Sequence, residues 1–517
     1  MTACDAKKAL AIAVATACAA FWPGARAVTL NPRGTGQVLI YPYYTVNHQQ
    51  TLLSIVNITE TGKALKVRFR EGYDGREVAT FNLYLGIYDT WVGAVFDTSA
   101  DGNGGAAIAT TDASCTVPAF DGTYFPGGPK VLVFSNENYS EGGYGAPTGT
   151  DSGPTDLSRT REGVLEVIEM GVVSNQTHGT LSAISRFGSA SPAPQNCAQV
   201  VDAWASGGYW SIDPNTDIAP PIGYTYGAAG IVDVAAGTLY AYDATAIDGF
   251  TDVAQHTAPG DAKPNFSTAV TDSNRDIASA YVPIGNSMVR ADFPASTRGV
   301  DAVSAVLMAD TLYNEFDADP ALGAATDWLV TFPTKQFYVD PGIVGTAVDD
   351  VVPPFEQTFG GGLNNGAVQG PWACVGNNAM EFDRDGHPPQ YFGCGFLCPA
   401  SGGNYLCYET TVITFNSPVA FEGPSAALGS RIFPQTLHVV GYDVLDHGHL
   451  ELGFPDQTMR PALDGTVFQG LPAIGFAAIN YINANVTPGV LSNYSGAYPH
   501  RSTASCTNST NPQSVCQ

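Results

Sequence analysis

The strongest constraint on the fold lies between residues 65 and 85. Leu65, Val67 and Phe69 alternate with Lys66, Arg68 and Arg70, and Phe81, Leu83 and Leu85 alternate with Thr80, Asn82 and Tyr84. A period of two is what a strand with one apolar and one polar face requires. Asp74-Gly75 between the two runs supplies a tight turn. The segment therefore predicts a β-hairpin of half-buried strands. Residues 38–46, 52–58, 87–96, 131–134 and 164–173 read as further strands, the first two separated by Asn47-His48-Gln49-Gln50. Short strands at this spacing predict an antiparallel β-sandwich domain over residues 28–175.

The rest of the chain points the same way. Its 517 residues include 57 Gly and 35 Pro, a composition suited to strands joined by tight turns and long loops. The Gly-rich stretches 97–105 and 141–153 are loops on this reading. Residues 231–242 form a hairpin turning near Ala236-Gly237, and 328–332, 410–415 and 437–445 are strands. Helices are few and short. One covers 195–205, with Val200, Val201 and Trp204 along one side. Another covers 301–313, capped by Asp301 and carrying Val303, Val306, Leu307 and Met308 on its apolar side. The expected fold class is mainly β: the sandwich, then a second β-rich domain over 176–517. A Gly-, Pro- and Cys-rich insertion at about 353–410, pinned by disulfides, interrupts that second domain.

The N-terminus reads as an export signal. Lys7 and Lys8 precede an apolar run over 9–22 that is too short to span a bilayer. Ala25-Arg26-Ala27 is a small-x-small cleavage site, so residues 1–27 are expected to be a signal peptide. A second processing reading is lipidation at Cys18, whose preceding Ala15-Thr16-Ala17 loosely resembles a lipobox without its leucine. The expected location is extracellular or at the cell surface, with the periplasm as the alternative. No later stretch reaches ~18 uninterrupted apolar residues, and most alternating runs fall short of the ~9–11 residues of a membrane barrel strand.

Eight cysteines remain after the signal: Cys115, Cys197, Cys374, Cys394, Cys398, Cys407, Cys506 and Cys516. An even set in an exported chain predicts disulfides. Proximity pairs Cys506 with Cys516, groups Cys374, Cys394, Cys398 and Cys407, and leaves Cys115 for Cys197. A four-cysteine zinc site is the rival for the middle group, but its spacing lacks paired zinc knuckles. Most of these cysteines lie after residue 370, so the C-terminal half is expected to depend more on cross-links. Lys plus Arg total 22 against 48 Asp plus Glu, a formal charge of −26. That balance argues against nucleic acid as a partner, because phosphate binding needs a basic footprint.

Three segments carry a resemblance: VTLNPRGTGQVLIYPYYTVN (28–47), TDWLVTFPTKQFYVD (326–340) and GVLSNYSGAYPHR (489–501). Together they resemble a family of secreted proteobacterial surface proteins with no assigned activity. The resemblance extends over most of the chain after the signal and is weakest at 353–403. It implies export and a shared fold, and it transfers no catalytic residue.

Two constellations suggest metal chemistry. Glu381, Asp383 and Asp385 followed by Gly386 resemble the first half of a calcium loop. The bidentate acid expected at its twelfth position falls on Phe392, so a plain Asp-Gly turn is the alternative. His447-Gly448-His449, six residues after Gly441, resembles the opening of a cupin metal motif. On a strand the two imidazoles would share one face about 7 Å apart. The alternative is a turn at Asp446-His447-Gly448. Glu166 and Glu169 lie at an odd offset on an expected strand, which puts them on opposite faces and argues against a joint acid–base role. Tyr209, Trp210 and Trp372 either stack on sugars or pack against disulfides and strands.

Catalytic signatures for serine nucleophiles, zinc proteases and phosphate loops are missing from the sequence. The expected function is a secreted or cell-surface structural or binding protein without catalytic activity. Its partner would be an extracellular glycan or cell-envelope component, and calcium is the candidate cofactor. The alternative is an extracellular hydrolase, carbohydrate-active, using carboxylates or a bound metal. A cleft shared by Glu166, Asp383, Asp385, His387, His447 and His449 would favour that alternative.

Overall fold

The computed structural model describes residues 26–99, 104–140, 154–186, 193–340, 343, 352–356, 373–390, 405–415, 424–432, 435–436, 445–483, 492–509 and 511–516. Residues 1–25 of the expected signal peptide, the expected loop at 141–153, most of the expected 437–445 strand, Trp372, Cys394 and Cys398 lie outside these residues. The sandwich is built from β1 (Thr29–Leu30), β2 (Val38–Thr45), β3 (Gln50–Asn57), β4 (Gly62–Glu71), β5 (Glu77–Leu85), β6 (Thr90–Asp97), β7 (Ala106–Thr110), β8 (Cys115–Val117), β9 (Lys130–Val133), β10 (Glu162–Val173), β11 (Ile218–Ala219), β12 (Thr225–Asp233), β13 (Thr238–Asp243) and β14 (Thr245–Asp248). One sheet runs β1-β14-β2-β10-β4-β5-β8, with β11 added on β10, and the other runs β13-β12-β3-β6-β7-β9. The sandwich therefore continues past residue 175, the boundary expected from the sequence, to Asp248. The reason is register: β12 pairs along the whole of β3, and β14 pairs with β2.

The β4–β5 hairpin forms with Val67 opposite Phe81. Leu65, Val67, Phe69, Phe81 and Leu83 face the other sheet, where they meet Ile55, Trp91, Ile108 and Ile231 in one core. The polar face of β4 departs from expectation. Lys66, Arg68 and Arg70 are all buried, so the strand is covered on both faces, and Lys63, at the start of the strand on the side of Leu65, is buried as well. Residues 258–264 and the adjoining segments lie over that side. The Lys66 ammonium donates to Ala258 O (2.8 Å), and the Arg68 guanidinium donates to Asp261 O, Ala262 O and Pro264 O. Carboxylates complete the compensation. Glu166 meets both Arg68 and Arg70 (3.0 Å to the latter), Glu77 meets Arg68 (2.6 Å), and Lys63 meets Glu169 (2.7 Å). Buried cations of this kind persist only when paired and hydrogen-bonded.

Beyond the sandwich, the hairpin Ile277–Ile284/Ser287–Pro294 and the helix Ala295–Leu307 pack on Val38, Ile40, Val164 and Ile168 from the eight-stranded sheet. This helix starts and ends six residues before the expected 301–313. Its continuation is replaced by the strands Met308–Ala309 and Thr311–Asp317, because Leu312, Asn314 and Phe316 turn inward with a period of two. The helix is broken at Arg298 (φ −139°), so Asp301 lies in the first turn after the break, where its carboxylate is engaged by side chains. It accepts from Arg298 (2.6 Å), Arg460 (2.7 Å) and the Tyr338 hydroxyl (2.8 Å). The expected helix at 195–205 is found at Cys197–Trp204. Disulfides join Cys115 to Cys197, Cys374 to Cys407 and Cys506 to Cys516. The Cys374–Cys407 link replaces the four-cysteine zinc reading.

Two larger, mainly antiparallel sheets dominate the C-terminal part. Ala324–Thr331 pairs with Thr410–Thr414 and Ile474–Tyr481, and Tyr494–Pro499 extends the sheet. His447–Gly453 lies between Asn378–Phe382 and Thr311–Asp317. The sandwich hairpin reaches into this part: Glu409 N donates to Tyr73 O (2.7 Å) and Thr410 N to Gly72 O (2.9 Å).

Glu409 is 1% exposed, and neither of its carboxylate oxygens has a hydrogen-bond partner among the described residues. Burial pushes its carboxyl up to about 8, with Arg70 and Lys335 opposing and Glu71 and Glu166 adding to the rise. The folded protein thus holds a proton that the unfolded chain releases near 4.5. This term stabilises below that pH and is lost as pH rises towards 8. Lys335 is pushed down to about 7 by burial and contributes in the opposite sense above that pH. Glu409→Gln keeps the neutral form and removes the carboxyl term alone. The stability of the variant relative to the natural chain, from urea denaturation, should rise by about 3 kcal/mol between pH 5 and pH 8; an unchanged difference would refute the reading.

Candidate functional site

The histidines and one of the two acidic pairs singled out in the sequence converge at the open end of the His447–Gly453 strand. A cleft of about 670 Å³ there is lined by Asp383, Asp385, His447 and His449, together with Glu315, Asp317 and Tyr481. Strand register explains the convergence. Asp317 lies opposite His447 and Glu315 opposite His449 on one side, while Phe382 lies opposite His449 on the other. His447 and His449 belong to a regular strand, which corrects the turn reading at 446–448. Gly448 is what permits the strand to run on, because a Cβ there would lie 1.8 Å from Phe382 O. The His449 ring stacks on Phe382 with centroids 5.0 Å apart. Nδ1 of His447 is buried and has no hydrogen-bond partner among the described residues.

The acidic motif divides. Glu381 sits opposite Leu450, a fully buried residue, so it takes the opposite side of its strand from Phe382 and does not line the cleft. Burial pushes its carboxyl up to about 7. It therefore does not join Asp383 and Asp385, as a calcium loop would have required. Asp383 instead organises a tight turn: its Oδ1 accepts from Asp385 N (2.9 Å) and His387 N (2.8 Å), and His387 Nδ1 lies 3.3 Å from Oδ2. The His387 N–H, helped by that of Asp385, holds the Asp383 carboxyl below the usual range. Potential ligand atoms of Asp383, Asp385 and His387 lie within 4.8 Å of one another. His387 was outside the calcium motif read from the sequence. The donor set suits a cation, although one Asp383 oxygen is already committed to the turn.

The other sequence candidates serve the fold. Glu166 and Glu169 bind different cations on β10, Glu166 to Arg68 and Arg70 and Glu169 to Lys63, as their odd offset implied. Neither reaches the cleft. Trp210 is fully buried, stacks on Tyr84 and touches Trp204 and His256, so it packs rather than presenting a sugar platform. Tyr209 stacks on the exposed His178 with centroids 4.1 Å apart.

Asp317, Glu315 and Tyr481 have no local motif and were not legible in the sequence. The Tyr481 hydroxyl donates to Asp317 Oδ2 (3.1 Å), and Arg384 approaches the same oxygen at 3.8 Å. What brings these residues to the histidines is pairing between strands more than a hundred positions apart. No helix among the described residues is long and apolar enough to cross a membrane. Comparison with known protein families, with characterised proteins and with solved structures finds no match to this chain.

Proposed function

We propose that the protein is an exported structural or binding protein of the cell surface, and that the cleft between residues 315–317, 383–386 and 447–449 is its ligand-binding site. The observation that carries this reading is the gathering of Glu315, Asp317, Asp383 and Asp385 around two imidazoles in one open cleft. Such a lining favours cationic ligands, or a glycan or envelope component engaged through a divalent cation at Asp383, Asp385 and His387. The signal-like N-terminus, the disulfides and the resemblance to secreted surface proteins support export.

The same carboxylates favour the hydrolase alternative as a second reading. Acid–base hydrolysis needs one carboxyl with a raised pKa facing one that stays ionised. Asp383 is held low by its turn, and the strongly raised Glu381 does not line the cleft, so the binding reading stands first. Calorimetric titration of calcium, followed by a glycan-binding panel with and without it, tests the proposal. Asp385→Asn is expected to weaken calcium at least about tenfold, since a charged ligand is lost. Glycan binding should fall with it. Turnover of a glycan, ester or peptide panel that disappears in Asp385→Asn or His449→Ala would replace binding with catalysis.

A further inference from the structure

The six-stranded sheet of the sandwich is apolar on both faces. Its inner face supplies the core, through Ile55, Trp91 and Ile231. Its outer face, read by alternation along β3, β6, β7, β12 and β13, carries Asp243 at the end of β13 as its charged residue. An antiparallel sheet with one face in water normally presents polar side chains there. In a chain of net charge −26, a face spanning five strands with Asp243 as its one charged residue calls for a partner that covers it.

The relief of this face indicates the partner. Leu52, Val92 and Leu239 project and are 47%, 44% and 49% exposed. Between them Ala94, Ala228 and Gly230 form the floor of a shallow groove of about 570 Å³. Projections and hollows thus occur on one patch, which is the condition for a two-fold interface in which the same surface meets itself. The size fits as well. Six strands of 4 to 9 residues at ~4.8 Å spacing cover roughly 650 Å², close to the ~800 Å² per partner of a stable complex. The neighbouring Tyr494–Pro499 strand continues the surface. Its Ser495 hydroxyl donates to Leu239 O (2.9 Å) and accepts from Leu239 N (2.7 Å), and Tyr494 and Tyr498 are exposed beside it.

Charge decides between occupants. Two copies of a strongly acidic chain repel wherever their carboxylates face each other. This face lets them approach without that opposition. We infer that the outer face of the six-stranded sheet is the interface of a homodimer, with a second copy of this chain packed sheet on sheet.

Sedimentation equilibrium of the purified full chain tests this. The expected result is twice the monomer mass at micromolar concentration. Leu52→Glu with Leu239→Glu should weaken association by at least about 100-fold, because like charges would then meet across the two-fold axis. Both positions are about half exposed, and an unchanged circular dichroism spectrum and melting temperature would show that the variant still folds. Ser54→Thr, a conservative change on the same face, should leave the dimer intact. A wild-type monomer up to ~100 µM, near the weak end of specific association, would overturn the inference. A double variant that remains dimeric would overturn it too. Wild-type monomer that binds neutral phosphatidylcholine vesicles would assign the face to lipid instead.

Discussion

Replacing Glu166 by alanine is expected to destabilise the protein by about 3–5 kcal/mol, the cost of leaving buried cations without their counter-charge. Glu166 is 1% exposed and meets the guanidinium groups of Arg68 and Arg70, which are 2% and 5% exposed. Burial pushes its carboxyl up, but Arg70 and Arg68 overcome that and hold it below its ordinary value of 4.5. Its contribution is therefore present above about pH 4.5 and lost as pH falls further. Glu77→Ala provides the control. It removes the partly exposed partner of Arg68 and should cost about 1 kcal/mol, since solvent screens that pair. Urea denaturation of both variants at pH 7 measures the difference. A Glu166→Ala loss no larger than that of Glu77→Ala would show that water reaches the guanidinium groups.

The second large effect concerns the Cys115–Cys197 disulfide, which closes the longest of the three loops at 82 residues of separation, against 33 for Cys374–Cys407. Limiting the unfolded chain gives about 4.5 kcal/mol for the first and about 3.7 for the second, as upper values of the chain-entropy argument. Removing Cys115–Cys197 by a double alanine substitution should lower stability more than removing Cys374–Cys407. The first link also ties the Cys197–Trp204 helix to the sandwich, where Trp204 Nε1 donates to the Tyr84 hydroxyl (2.9 Å) and Trp210 stacks on Tyr84. Tryptophan fluorescence should therefore respond to its loss. This revises the expectation that cross-links matter chiefly in the C-terminal half. For local opening, first proteolytic cuts after reduction are still expected within 374–407, where short strands share few partners. First cuts within 65–85 would contradict it.

In the two proposals the acidic cleft and the largely apolar sheet face take different tasks. One gathers carboxylates and imidazoles where strands end, and the other excludes charge where strands run side by side. In the proposed dimer the cleft belongs to the C-terminal sheets and the interface to the sandwich, so a ligand-binding defect and an association defect are separable by mutation.

The sequence by itself determined the elements whose signals are local. The β4–β5 hairpin follows from a period of two around Asp74-Gly75, and the hairpin near Ala236-Gly237 from the same logic. The mainly β class and the pairing of Cys115 with Cys197 follow from composition, spacing and elimination. Tertiary structure alone decided what depends on distant partners. Lys66, Arg68 and Arg70 read as a wet face, because alternation reports which side differs and not whether later chain covers it. The 301–313 helix ends earlier than expected because Val303, Val306 and Leu307 mark a helix but not its end, and pairing of Thr311–Asp317 with His447–Gly453 settles where it stops. Asp383 and Asp385 reach the histidines, and Glu381 does not, because Glu381 is held within the strand opposite Leu450, whereas Asp383 and Asp385 lie in the turn beyond its end at Phe382, where the strand's alternation no longer applies. Local periodicity specifies which residues can share a face; only long-range pairing specifies which faces meet.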